Sequence, residues 1–155
     1  RLASDDGQNV QTLSRTVFCA NQVAPDEICN FLKLPTRSVV IHIRRLLLVA
    51  GQPIVFEDIW LPGDVFSGLT TDVLVNWKGP MYALFESEFD IHMVRATEKL
   101  KAVSADAVCE EFLKVPQGCP LLSVERVSFT YADRPVEVRQ AFYSTENHHY
   151  FNEMS

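Results

Sequence analysis

The chain has 155 residues, of which 47% are hydrophobic and 22% charged, and its formal net charge at pH 7 is −6. This length and composition are typical of one globular domain with a sizeable core. The acidic balance argues against direct binding to DNA or to an anionic membrane. No apolar run approaches the roughly 20 residues of a membrane-spanning helix, so we expect no membrane association.

The four cysteines show neither CxxC spacing nor a histidine at zinc-finger distance. We therefore expect no metal site, no cofactor and reduced thiols, and without a secretory signal we expect a cytoplasmic location. The chain opens with Arg1 rather than Met, so we expect it to be part of a longer protein. Residues 1–10 are polar and predict a frayed leader.

Alternation of apolar and polar residues predicts strands, and apolar spacing of three or four residues predicts helices. In the first half, the predicted elements are a strand at Ser14–Gln22, a helix from Pro25 to Leu34, and strands at Ser38–Val49 and Ile54–Leu61. A connector with room for a short helical turn follows at Val65–Val75, and then a helix at Pro80–Phe89. The second half has a strand at Ile91–Val103, a helix capped by Ser104, strands at Cys119–Tyr131 and Pro135–Ser144, and a short strand at His148–Glu153. About six longer strands and three helices predict an α+β domain, in which helices pack on one mostly antiparallel sheet.

An internal repeat of helix, strand, turn and strand runs through this series. Asp26 matches Asp106 at an offset of 80 residues, and Arg45 matches Arg126 at an offset of 81. Two copies are too few for a solenoid, so the repeat predicts one pseudo-symmetric domain. A cleft is expected at the seam between the copies.

Both predicted hairpins place charged residues in otherwise apolar strands, where a buried charge needs a partner. Arg45 and Glu57 lie on the two strands of the first hairpin and fit either a cross-strand ion pair or a ligand site. Glu137, Arg139 and Tyr143 lie at positions i, i+2 and i+6, so they project from one face of one strand. An acid, a base and a phenol on one face fit either a polar ligand or a solvated surface.

Two tryptophans and two adjacent histidines are the remaining candidates for a site. Trp60 and Trp77 fit the aromatic walls of a small-molecule pocket, although core packing is the commoner role of tryptophan. His148 and His149 are neighbours on a predicted strand, so their rings point to opposite faces and do not favour a metal site.

Three segments together resemble the effector-binding (UTRA) domain of GntR-type bacterial transcription regulators, in the HutC-like branch. They are IRRLLLVAGQPIVFEDIWLP, MYALFESEFDIHMVRATEKLKAVSADAVCEEFLKVPQGCPLLSVERVSF and RPVEVRQAFY. The resemblance implies a chorismate-lyase-like fold, a homodimer and the sensing of a small metabolite. It also implies an N-terminal winged helix-turn-helix domain that holds operator DNA. Residues 1–13 would then be a polar linker from that domain, and residues 14–155 the ligand-binding domain.

The resemblance further implies which residues bind the effector. Family members that sense sugar phosphates have an Arg-x-Arg in the first hairpin, a Glu on its return strand, a Ser before the middle helix, and a Glu and a Tyr on the last hairpin. In this chain Arg45 matches the first Arg and Glu57 the return-strand Glu. Glu137 and Tyr143 match the pair on the last hairpin.

Two positions depart from that pattern. Leu47 stands where the second Arg is expected, and Pro80 stands where the Ser is expected. Phosphate is best held by a fork of Arg donors together with hydroxyl and backbone N–H groups. The departures therefore favour a carboxylate or another non-phosphorylated effector.

Two other functions stay open. One is a small lyase acting on a carboxylated substrate, because the implied fold is shared with chorismate lyase. Arg45 would then clamp the carboxylate, and Glu57 or Glu137 would act as acid or base, although fold kinship alone is weak support for chemistry. The other is a dimerisation module with a vestigial pocket.

Overall fold

The computed structural model describes residues 1–154. Its strands and helices are β1 (Leu2–Ser4), β2 (Thr12–Val23), α1 (Asp26–Leu32), β3 (Val39–Val49), β4 (Gln52–Pro62), α2 (Thr71–Asn76), α3 (Met81–Phe89), β5 (Arg95–Ser104), α4 (Ala107–Leu113), β6 (Pro120–Thr130), β7 (Arg134–Ser144) and β8 (His148–Tyr150). A short 3₁₀ turn, Tyr131–Asp133, joins β6 to β7. None of the helices in this part of the chain is long and apolar enough to cross a membrane.

The main sheet has six antiparallel strands in the order β2-β3-β4-β7-β6-β5. The series β2-α1-β3-β4 and β5-α4-β6-β7 therefore occupy mirrored places on either side of the β4–β7 boundary. Both short helices end at a lysine in the left-handed conformation, Lys33 with φ 54° and Lys114 with φ 55°. The α+β class and the internal repeat are confirmed, and the repeat includes one strand more than the sequence predicted.

Helices pack on both faces of this sheet because successive side chains in a strand point to opposite sides. Along β3, Val40 lies in a buried cluster with Leu32 of α1. Its neighbours Ile41 and Ile43 lie in another buried cluster, with Leu84 of α3. Full burial of each aliphatic side chain stabilises the fold by about 1.5–3 kcal/mol. On the α3 face the same alternation brings Arg45 into the protein interior.

The N-terminal residues do not form the frayed leader that the sequence predicts. Leu2–Ser4 pair with His148–Tyr150 in antiparallel register, and Leu2 packs against a buried cluster that includes Val55 and Tyr143. A three-residue strand is too short to show an alternation pattern. The polar composition of residues 1–10 therefore wrongly predicted a frayed leader. The C-terminal strand also ends at Tyr150 rather than Glu153. Residues 1–11 are called the N-terminal strap below.

Two helix starts differ from their predictions. The side chain of Asp106, not that of Ser104, caps α4, and its Oδ1 accepts the backbone N–H of Cys109 at 2.8 Å. Ser104 is instead the last residue of β5. Pro25 is the N-cap residue of α1 rather than its first helical residue. Both predicted starts were therefore displaced by one or two residues.

Strand β5 begins at Arg95, whereas the sequence predicted a start at Ile91. The backbone N–H of Ile91 donates to the carbonyl of Phe85 at the end of α3. Ile91 and Met93 then pack against the cluster under α3. Their alternation therefore reflects contact with that helix and not pairing in the sheet.

Candidate functional site

A row of charged side chains crosses the α3 face of the sheet from β5 to β3. Its members are Glu98, Arg126, Arg139, Glu137, Glu57 and Arg45. Strand register makes several of them direct neighbours, since Glu98 lies opposite Arg126, Arg126 opposite Arg139, and Glu57 opposite Arg45. The sheet therefore assembles one ionic network from both copies of the repeat.

Arg45 and Glu57 form the cross-strand ion pair that was one of the two alternatives for these residues. Arg45 Nε donates to Glu57 Oε1, and the two side chains are 13% and 2% exposed. Burial alone would raise the pKa of Glu57, but the charges of Arg45 and Arg139 hold this pKa below its ordinary value. Glu57 is therefore a carboxylate at neutral pH.

Glu137 is fully buried, and it accepts three hydrogen bonds. Tyr82 Oη donates at 2.6 Å, Ser128 Oγ at 3.1 Å and Arg139 Nη2 at 2.9 Å. Burial alone would lower the pKa of Arg139, but Glu137 and Glu57 raise it above its ordinary value. Arg139 Nε is buried and has no hydrogen-bond partner among the described residues. The guanidinium is therefore held in place and charged, and its buried Nε–H donor is unused.

Arg126 connects helix α3 to the terminal strand β8. Its Nε donates to Glu98 at 2.9 Å, Nη1 to Tyr82 Oη at 3.3 Å and Nη2 to Tyr150 Oη at 3.3 Å. Tyr150 Oη in turn donates to Glu98 at 2.5 Å. Arg126 was not among the predicted site residues. Its match to Arg45 in the internal repeat would have been enough to predict it as one.

A cleft lies over this row. Its central chamber has a volume of about 810 Å³, and Arg45, Arg126 and Arg139 are part of its lining. A second chamber of about 290 Å³ shares Arg45 with the central one. A third chamber of about 560 Å³ shares Arg126 and Arg139 with it. The three chambers therefore form one continuous cleft with arginine at both internal boundaries.

The two end chambers differ in character. The 290 Å³ chamber, called the apolar chamber below, has a wall made by α2, α3 and the loop between them: Leu74, Val75, Trp77, Met81 and Leu84. The 560 Å³ chamber, called the strap chamber, is lined in part by Gln8, Asn9 and Val10 of the N-terminal strap. One end of the cleft thus offers apolar surface, and the other offers polar groups.

Four of the five predicted site residues line the cleft, namely Arg45, Glu57, Arg139 and Tyr143. Glu137 does not line the cleft, but it accepts a hydrogen bond from Arg139, which does. Tyr143 is 8% exposed, and burial raises the pKa of its phenol to about 12. The register between β4 and β7 therefore brings both hairpins to one site.

Other residues divide between the cleft and the core. Leu47 and Pro80, the two departures from the family pattern, both line the central chamber. Trp77 lines the cleft, whereas Trp60 is buried on the opposite face of the sheet and stacks on His42 at 3.7 Å between ring centroids. Sequence reasoning missed the strap and Tyr82. Only the long-range pairing of β1 with β8 and the packing of α3 reveal them.

The cleft has unused hydrogen-bond donors, whereas its carboxylates are engaged. Arg45 offers five N–H donors, and no hydrogen bond joins its two terminal nitrogens to another described residue. Glu57, Glu98 and Glu137 each already contact an arginine. Within residues 1–154, no three His, Cys, Asp or Glu side chains are grouped to hold a metal ion. The arrangement is therefore suited to an anion.

Residues 7–149 match the UTRA domain family. A protein of Escherichia coli strain K12, named for transcriptional repression of a fructoselysine utilization operon, is 25% identical over 121 residues. The match covers 78% of this chain and 49% of that protein, so the chain spans about half the length of this curated relative.

Solved structures are similar over still more of the chain. The ligand-binding domain assigned to a GntR-family transcriptional regulator of Bordetella bronchiseptica is 46% identical with a TM-score of 0.95, covering 100% of this chain and 96% of that one. The effector domain of PhnF from Mycobacterium smegmatis has the same chorismate-lyase-like fold, with a TM-score of 0.78 at 19% identity over 88% of this chain and 83% of that one. The chain therefore belongs to the UTRA family, the effector-binding domains of GntR-family transcription regulators.

Proposed function

We propose that this domain senses a small metabolite through a carboxylate group bound in the cleft. The observation that carries the proposal is the unpaired end of Arg45, a residue that lines both the central and the apolar chamber. A carboxylate can accept two parallel hydrogen bonds from such a guanidinium. Hydrogen bonds to a charged group contribute about 1.5–3 kcal/mol each.

The charge balance favours a carboxylate over a phosphate. The three arginines of the row are matched by three glutamates, so its formal charge is zero. A monoanion leaves less uncompensated charge in this half-buried site than a dianion does. Leu47 and Pro80 also supply no donor to the central chamber, where the resemblance would place an Arg and a Ser. Arg126 and Arg139 add cations to the cleft, and Arg15 and Lys78 also line it, so the experiment below includes phosphates.

We further propose that the domain forms a homodimer in the cytoplasm and acts on operator DNA through an N-terminal winged helix-turn-helix domain. The family assignment, the greater length of the curated relative and the net charge of −6 support this. Effector binding would favour one arrangement of the two subunits over another and thereby change DNA affinity. Sedimentation equilibrium would test the dimer, and a monomer at micromolar concentration would contradict it.

Thermal unfolding with matched ligands tests the proposed effector class. The pairs are benzoate with phenyl phosphate, and glucuronate with glucose 6-phosphate. A bound ligand at 100 times its dissociation constant adds about 2.7 kcal/mol of stability, which raises the Tm of a domain of this size by several degrees. We expect a carboxylate to give this shift, and we expect Arg45→Gln to abolish it.

The matched control is Arg134→Gln, which changes an exposed arginine at the hairpin turn and should retain the shift. Stabilisation by the phosphates alone would overturn the carboxylate assignment. Conversion of chorismate by the wild-type domain, measured by product absorbance, would overturn the sensor in favour of the lyase alternative.

A further inference from the structure

Arg45 lines both the apolar and the central chamber, so the apolar chamber is within reach of the group attached to a carboxylate that binds Arg45. We propose that Trp77 determines effector specificity by stacking on a six-membered ring next to the carboxylate. The effector is then an aromatic or alicyclic monocarboxylate. This inference rests on the proposed function and adds the chemical class of the part that the arginines do not bind.

The orientation of Trp77 is held by its own backbone neighbourhood. Its indole Nε1 donates to the carbonyl oxygen of Pro80 at 3.0 Å. Between them, Gly79 has φ +128°, a conformation that side-chain-bearing residues rarely adopt. Because the N–H is already used, the surface that the indole offers to the cleft is its apolar ring.

The apolar chamber has room for a ring. Its volume is about 290 Å³, and a dry cavity of about 150 Å³ is enough to bind benzene. Leu74, Met81 and Leu84 complete the wall around Trp77. A ring placed here is therefore covered on several sides by apolar side chains.

Exposed apolar residues at the mouth of the cleft add a reason for a ligand with an apolar part. Val75 is 59% exposed and Leu13 is 74% exposed, and both line the central chamber. Removing such surface from water stabilises a complex in proportion to the area covered. Val75 also lines the apolar chamber, so a ring bound there removes part of this side chain from water.

Ser14, Arg15 and Thr16 on β2 form the polar wall of the apolar chamber. A sugar acid would use these hydroxyl groups, whereas a hydrocarbon ring would not. Ser14 is exposed and thus already accessible to water. Arg15 is also exposed. Five apolar side chains against two hydroxyl groups and one guanidinium favour the hydrocarbon ring.

The test is calorimetric titration of the domain with benzoate, cyclohexanecarboxylate, acetate and glucuronate. We expect the two ring acids to bind at least about tenfold more tightly than acetate or glucuronate. Trp77→Ala should weaken benzoate binding about tenfold and leave acetate binding unchanged, and Trp77→Phe should retain most of the benzoate affinity. Val75→Ser, at a well-exposed position, should lower benzoate affinity severalfold and gives a second variant with little risk to folding.

Equal affinity for benzoate and acetate would overturn the role of Trp77 and leave the carboxylate sensor intact. Tighter binding of glucuronate than of benzoate would have the same two consequences. Benzoate binding that Trp77→Ala does not change would also overturn it. Failure of all four acids, together with stabilisation by phosphates alone, would overturn the proposed function and this inference with it.

Discussion

Arg139 is the residue on which the candidate site depends most. It contacts Glu137 and Glu57, lines two chambers of the cleft and leaves its Nε without a partner. Burial of ions is costly, and replacement of a buried ion pair by well-packed apolar residues is often neutral or stabilising. Stability alone therefore does not explain three arginines on one sheet face, whereas the proposed recognition of an anion would.

Acid should destabilise the domain partly through Glu57. Its folded pKa lies below the usual value, whereas in the unfolded chain it is about 4.3. The unfolded state therefore binds the proton more readily, so the stabilisation is complete above about pH 4.3 and is lost as the pH falls through the folded pKa. A ¹³C NMR titration of the Glu57 carboxyl, with Glu57→Gln for assignment, should show a midpoint below the usual value.

Urea unfolding gives an independent measure of the same effect. In Glu57→Gln the free energy of unfolding should fall less steeply on acidification than in the wild type, because one proton-linked group is missing. The exposed control Glu111→Gln should retain the wild-type slope. An NMR midpoint at or above about 4.3 would show that Arg45 and Arg139 do not outweigh burial.

Among the secondary-structure elements, α3 lines the cleft, and it is joined to β8 through one side chain, that of Arg126. Tyr82 on α3 and Tyr150 on β8 both accept hydrogen bonds from Arg126. Tyr150 also packs edge to face on Tyr143, with ring centroids 5.5 Å apart. The geometry of the cleft therefore depends on elements that are far apart in the chain but share hydrogen-bond partners.

The start of α4 gives a direct comparison between the predicted and the observed cap. Asp106→Ala should cost about 1 kcal/mol, because it leaves the N–H of Cys109 without its side-chain acceptor. Ser104→Ala, which changes the exposed last residue of β5, should stay within about 0.5 kcal/mol of wild type. Urea unfolding of both variants measures the difference. A larger loss for Ser104→Ala than for Asp106→Ala would contradict the observed cap.

The two halves of the domain are interleaved rather than merely adjacent. Helix α1 of the first half packs on β7 of the second, and α4 of the second half packs on β4 of the first. Each helix therefore buries part of its apolar face, which includes Leu32 in α1 and Leu113 in α4, against strands of the other half. The internal repeat has thus produced one cooperative core.

Thermal unfolding should consequently occur in a single transition. Far-ultraviolet circular dichroism and the fluorescence of buried Trp60 should change together, and the calorimetric and van't Hoff enthalpies should agree. A fragment of residues 12–63, which contains the first half alone, should be unfolded because α1 lacks its partner strand. Two resolved transitions, or a folded fragment, would show that the halves are independent.

Much of this architecture follows from local patterns in the sequence. Alternating apolar and polar residues predict the strands of both hairpins, because the face that a side chain occupies depends on its neighbours along the chain. The internal repeat predicts a pseudo-symmetric domain, and characteristic segments identify the family. The same local reasoning places Arg45 and Glu57 opposite each other, as the register of β3 and β4 confirms.

The internal repeat predicts a cleft at the seam between its copies, but no local pattern specifies which side chains line it. The antiparallel pairing of β4 with β7 joins the two copies, and the packing of α3 brings Tyr82 to Glu137. The pairing of β1 with β8 places the N-terminal strap over Arg126. These contacts join segments far apart in the chain, and their register is selected by packing of the whole core. A residue's own neighbours along the chain hold no information about that choice.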